Sequence, residues 1–152
     1  MKDYSSHSYD KAKWHYGGDE FPEELSEIHG FTHTGFYLLW LAENNLISDF
    51  VKQDFEAELL ATLNRDKGPV HLYEMMDGCL IGDMLSAGGN DFSQSYYEKH
   101  YFSDYGKIFD EVSDIYYVAP SWKNYERIVP SVNNRFQKWQ KSKQKKPWQF
   151  WK

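Results

Sequence analysis

Seven consecutive apolar residues, Phe36-Tyr-Leu-Leu-Trp-Leu-Ala42, lie between two threonines and the pair Asn44-Asn45. Thr32 or Thr34 suits a helix N-cap and the asparagines suit its end, so the segment reads as a helix reaching about Asn45. That helix is apolar on every face. Such a helix must be covered on all sides, and it becomes the axis on which the rest of the chain packs. The expectation is a mainly α, bundle-like single domain around a buried central helix, with at most a small β-hairpin. A length of 152 residues fits one domain.

The flanking pattern supplies the covering elements. Pro22, followed by Glu23 and Glu24, predicts a short helix to about Ile28. Asp54 predicts a cap for a helix carrying the stripe Phe55, Leu59 and Leu63. A further helix is expected over about 70–85, with Tyr73, Met76, Leu80 and Met84 on one side. Asp91 is read as the cap of a helix over 92–100, with another over 102–112. Ile115-Tyr-Tyr-Val118 is the clearest strand candidate, and the segment 14–17 is its expected mate. Trp122, Tyr125 and Val129 share a face of the last helical region, and Val132, Phe136 and Trp139 share one beyond Pro130, where a break or kink is predicted. The organisation expected is a flexible segment 1–13, a helical domain 14–141, and a basic, aromatic tail 142–152.

Charge narrows the function classes. The net charge is −6, from 17 Lys and Arg against 23 Asp and Glu. Six of the lysines lie in residues 138–152, which hold no acid, so the first 137 residues carry 11 positive against 23 negative groups, a net −12. An acidic body repels nucleic acid and anionic membrane surfaces and attracts basic partners. The first residues are polar and charged, without the apolar stretch of a secretion signal. The expectation is a cytoplasmic protein that binds neither nucleic acid nor membrane. The one cysteine, Cys79, excludes an intrachain disulfide. Its apolar context predicts an inert thiol.

No motif specifies a reaction. Trp14-His15-Tyr16-Gly17-Gly18-Asp19 places an imidazole and a carboxylate on a glycine-freed loop, the raw material of a general base. His29 and His33 have the spacing of two metal ligands on one helical face, but Gly30 between them argues for a helix break. No catalytic residue, cofactor or metal site is expected from these patterns. Aromatic residues make up 18% of the chain. Carboxylates beside such rings suit the surface of a basic protein partner. The residues expected on that face are Tyr16, Asp19, Glu20, Glu23, Glu24, Tyr101, Asp104 and Tyr105.

The run Tyr9-Asp-Lys-Ala-Lys-Trp-His-Tyr-Gly-Gly-Asp-Glu-Phe-Pro22 resembles the opening of a bacterial family known as a domain of unknown function, whose members look like short stand-alone proteins. Similar features continue through Thr32-His-Thr-Gly35, Leu39-Trp40, Phe92 to Tyr105, Ile115-Tyr-Tyr-Val118, and Trp122 to Tyr125. The resemblance spans most of 8–140, leaves out the basic end, and implies no activity or catalytic residues. The functional expectation therefore rests on charge and class-level analogy. It is an immunity protein that neutralises a cognate antibacterial toxin through an acidic, aromatic-rich surface. The alternative is a small enzyme or ligand-binding protein using a His15, Asp19 and His33 pocket.

Overall fold

The structure, a computed structural model, describes residues 3–150, with side chains through Gln144. Its elements run β1 (Ser8–Lys11), α1 (Ala12–Tyr16), α2 (Thr32–Glu43), α3 (Asp49–Asp54), α4 (Glu56–Leu63), α5 (His71–Met75), β2 (Cys79–Ile81), α6 (Ala87–Tyr96), α7 (Phe102–Ile108) and α8 (Trp122–Phe150). The architecture is mainly α, with one two-stranded antiparallel sheet among the described residues. No described helix is long and apolar enough to cross a membrane.

Helix α2 takes the predicted central place. Every residue from Thr32 to Leu41 is buried. Trp40 packs against Phe92 of α6 and Phe136 of α8, with ring centroids 5.5 and 5.3 Å away, and its Nε1 donates to Asn133 Oδ1 at 2.8 Å. Leu59 is buried beside partly buried Phe55 and Leu63, so the predicted stripe of α4 faces the core. Tyr125, Ile128 and Val132 bury one face of α8. That helix runs on through Pro130, against the predicted break. The ring removes one hydrogen bond, but Pro130 and Glu126 are exposed, so water can satisfy the released carbonyl while the apolar face holds both halves in line.

Several local expectations are corrected. Segment 8–13 is not a loose end: Tyr9 and Asp10 are buried in β1, and Ala12 is buried in α1. The sheet pairs β1 with β2, not 14–17 with 115–118. Residues 14–16 belong to α1, and Ile115–Tyr117 forms a 3-10 turn capped by Asp114, whose Oδ1 accepts from the Tyr116 backbone N–H at 2.9 Å. The helix expected over 70–85 stops at Met75, because Asp77 and Gly78 adopt positive φ (59° and 62°) and turn the chain into β2. Pro22 opens no regular helix, and only a 3-10 turn, Glu27–Gly30, forms there. Neither aspartate chosen from sequence is a cap: Asp54 is the last residue of α3, which Ser48 caps, and Asp91 lies inside α6, which Ser86 caps. The backbone of the expected tail continues α8 to Phe150, and its side chains from Lys145 onward lie outside the described residues.

An ion pair between buried Asp104 and half-buried Arg135 ties α6, α7 and α8. Asp104 accepts from Arg135 Nε at 2.9 Å and Nη2 at 3.0 Å, and from the Tyr96 hydroxyl at 2.9 Å. Burial pushes the Asp104 carboxyl up, but the donors of Arg135 and Tyr96 outweigh it and hold it below its usual range. An unfolded aspartate takes up a proton near pH ~3.9. The folded one resists longer, so this contribution is intact above about pH 4 and fades as pH falls further. Asp104→Asn is expected to cost about 1–2 kcal/mol at neutral pH, the low end for a charged hydrogen bond because Arg135 is partly open to water. Urea denaturation of both proteins should show the difference shrinking below pH ~4.

A candidate site where Asp10, His15 and His33 meet

Successive strand residues point to opposite faces, yet Tyr9 and Asp10 are both buried. The register explains this. Ser8 lies opposite Ile81 and Asp10 opposite Leu80, with an irregularity between them. Such a bulge re-aims a side chain, here turning a carboxylate into the protein. Two glycines make the arrangement possible. A Cβ on Gly82 would lie 1.5 Å from the Tyr4 carbonyl oxygen, and one on Gly78 would lie 2.8 Å from Ala12 Cβ.

The chain turns from β1 into α1, and His15, one turn along, returns its imidazole to Asp10. His33 comes from the first turn of α2. His15 Nε2 lies 2.7 Å from Asp10 Oδ1, His33 Nε2 lies 3.5 Å from Asp10 Oδ2, and the two Nε2 atoms are 3.2 Å apart. The imidazoles meet edge to face, at 81°. Around them the carboxylate is fully served: Tyr97 OH donates to Oδ2 at 2.7 Å, Thr34 Oγ1 donates to Oδ2 at 3.0 Å, and the Lys11 backbone N–H donates to Oδ1 at 2.9 Å. Burial would raise the Asp10 carboxyl, but hydrogen bonds and charge from His15 and His33 overcome it and hold the group well below the usual carboxylate range. Burial pushes the His33 imidazole down, and its contact with Asp10 opposes that without reversing it.

Aromatic rings wall the junction. Phe102 packs 5.1 Å from His33 and 6.0 Å from His15, and Tyr116 sits 5.7 Å from His15, with its hydroxyl 2.6 Å from His15 Nδ1. Phe21 lies over Tyr116 at 5.0 Å, and His29 Nδ1 donates to the Tyr116 carbonyl at 2.6 Å. The loop 17–30 and the turn 114–118 together form a cover.

That cover carries the acidic groups. Asp19, Glu20, Glu23, Glu24 and Glu27 are all exposed. A surface depression of ≈ 420 Å³ is lined by Tyr16, Phe21 and Pro22 together with the residues bearing the carboxylates Asp19, Glu23 and Glu27. The Tyr117 hydroxyl donates to Glu24. Three exposed rings lie on or near this cover: Tyr117 in the turn beside Glu24, Trp14 on α1 just before the loop, and Phe102 of α7 over the histidines, with 37%, 53% and 37% of their surface open.

The structure sorts the residues chosen from sequence. Asp19, Glu20, Glu23 and Glu24 lie on the exposed edge, and Tyr16 lines its depression, stacked on Phe31. Tyr101, Tyr105 and Asp104 are buried and do not belong to a surface. Tyr101 donates to the His33 carbonyl at 2.6 Å, the Tyr105 hydroxyl is enclosed without a described partner, and Asp104 is held by Arg135. A helix rich in tyrosine puts some of them inward, and their spacing on 97–105 follows the inner face. The alternative pocket is corrected in one member: His15 and His33 converge, but on Asp10 rather than Asp19. His29, offered with His33 as a ligand pair, turns away to the Tyr116 carbonyl. Asp10 was missed because a lone aspartate in a polar N-terminal segment reads as solvated.

No curated protein and no solved structure matches the chain. Residues 8–118 match the family described as Domain of unknown function (DUF7832). The match begins at the first residue of β1, includes Asp10, His15, His33 and the whole acidic loop, and ends before α8. Since it covers well over half of the sequence, the chain belongs to this family of uncharacterised domains.

Proposed function

We propose that the protein is an immunity protein, acting in the cytoplasm by docking its acidic, ring-bordered edge onto a basic face of a cognate antibacterial toxin. The observation that carries this reading is the concentration of exposed carboxylates 19, 20, 23, 24 and 27 on one loop, bordered by exposed rings. Long-range attraction steers such a surface to a basic partner, and ring burial then anchors it. The depression between Asp19, Glu23 and Glu27 suits a Lys or Arg side chain from that partner. Toxins that attack nucleic acid carry basic clefts, and an acidic plug occludes them; this step is analogy at the level of a class. The anchors are revised to Trp14, Phe102 and Tyr117, in place of buried Tyr101 and Tyr105.

The test is co-expression with the toxin encoded beside this chain's gene. The unchanged protein is expected to restore growth and to co-purify with the toxin. A triple variant, Asp19→Lys, Glu20→Lys and Glu23→Lys, should lose at least about 100-fold in affinity while keeping its circular dichroism. Those three side chains make no described hydrogen bond, so the fold does not depend on them. No protection from any neighbouring toxin, or full protection by the triple variant, contradicts the proposal.

A further inference from the structure

We infer that Asp10, His15 and His33 form a mononuclear site for a divalent transition metal, with Zn²⁺ the ion of choice. One carboxylate oxygen and two imidazole nitrogens lie within 4.8 Å of one another. Zinc binds nitrogen and oxygen at about 2.0–2.1 Å, which places tetrahedral ligands about 3.3 Å apart. The two nitrogens, 3.2 Å apart, already stand near that edge, and each lies beside the carboxylate, His15 Nε2 2.7 Å from Asp10 Oδ1 and His33 Nε2 3.5 Å from Asp10 Oδ2.

The arrangement of hydrogen-bond partners favours an ion over a purely structural network. Two Nε2 atoms face each other and the same carboxylate. Two N–H groups on nitrogens 3.2 Å apart would crowd each other in that space. A cation accepts all three lone pairs together. His15 and Asp10 are oriented from behind, as metal ligands are. The Tyr116 hydroxyl, 2.6 Å from His15 Nδ1, can accept from Nδ1–H when a metal takes the Nε2 lone pair, which fixes the ring. Asp10 Oδ2 is held by Thr34 and Tyr97, so the carboxylate keeps its aim without the metal. The remaining wall is apolar, made by Phe102. The three ligands come from β1, α1 and α2, so an ion here joins three elements. Three protein ligands leave the fourth position to a water, as in open zinc sites.

Equilibrium dialysis and Co²⁺ absorption spectroscopy on the chelator-treated, full-length protein test the assignment, with Zn²⁺ and Co²⁺ alone as probes. The expected result is one equivalent bound, with the intense visible bands of four-coordinate Co²⁺. His15→Gln, at the most exposed of the three ligands, is expected to abolish those bands. Tyr116→Phe is expected to lower affinity about 10–100-fold with the coordination spectrum retained. Circular dichroism confirms that each variant is folded. Absence of stoichiometric binding by the folded unchanged protein, or undiminished binding by folded His15→Gln, overturns the assignment. Neither result touches the acidic edge, whose three tested carboxylates lie outside this cluster.

Discussion

Asp10→Ala is expected to lower stability by about 3–5 kcal/mol, the cost of breaking a buried charged pair by removing one partner. Asp10 is 3% exposed, and at one stroke Lys11 N–H, Thr34, Tyr97 and His15 lose their partner. Each buried donor left unpaired costs about 1–3 kcal/mol, though a rearranged pocket or entering water recovers part of it. Against a typical total of about 5–15 kcal/mol, the loss is large. Asp10→Asn should recover some of it, since one oxygen remains, but its amide N–H₂ then faces other donors. The midpoint of urea unfolding measures both variants in metal-free buffer, so that loss of a bound ion does not enter. A cost under about 1 kcal/mol for Asp10→Ala would mean that the carboxylate is not the hub described.

Trp40→Ala is expected to cost a similar amount, about 3–5 kcal/mol, for a different reason. Trp40 is wholly buried and its ring bridges α2 to α6 and α8. Truncation leaves a cavity that three helices cannot collapse together, and strands Asn133 Oδ1 without its donor. Trp40→Phe fills most of the space and should cost less than half as much, although it too leaves Asn133 unpaired. Thermal unfolding reads both, and equal costs for the two variants would show that the lost hydrogen bond, rather than the cavity, dominates.

These two residues differ in how far they could be foreseen. Trp40 lies in a run that is apolar all round, and burial is the one stable outcome for such a helix. The stripes of α4 and α8 were legible for the same reason, because a 3.6-residue period survives any arrangement of neighbours. Asp10 carries no such signal. It is buried by a bulge in a strand whose partner lies some 70 residues away, and its partners come from α1, α2 and the turn after α6. Long-range polar satisfaction of this kind leaves no local period. His15 and His33 were recognisable as a pair, but the choice of Asp19 followed nearness in sequence and freedom of glycines, whereas α1 points His15 back toward the strand before it. The tetrapeptide Ile115-Tyr-Tyr-Val118 shows the opposite error. Its residues favour strands, but propensity yields to context, and a capping aspartate without a neighbouring strand makes a turn.

The fold thus presents two faces of one corner: a junction of imidazoles and carboxylate beneath, and an acidic cover above. The inhibitor reading concerns the cover, and its physical core is attraction between opposite charges at a distance. The measurement that tests it most directly is the rate of association with the neighbouring toxin as salt is raised, followed by stopped-flow fluorescence. The account predicts a steep fall in the on-rate with ionic strength, flattened in the protein bearing lysine at 19, 20 and 23, with little change in dissociation from salt alone. An on-rate that ignores salt, or that is the same for the two proteins, would contradict it.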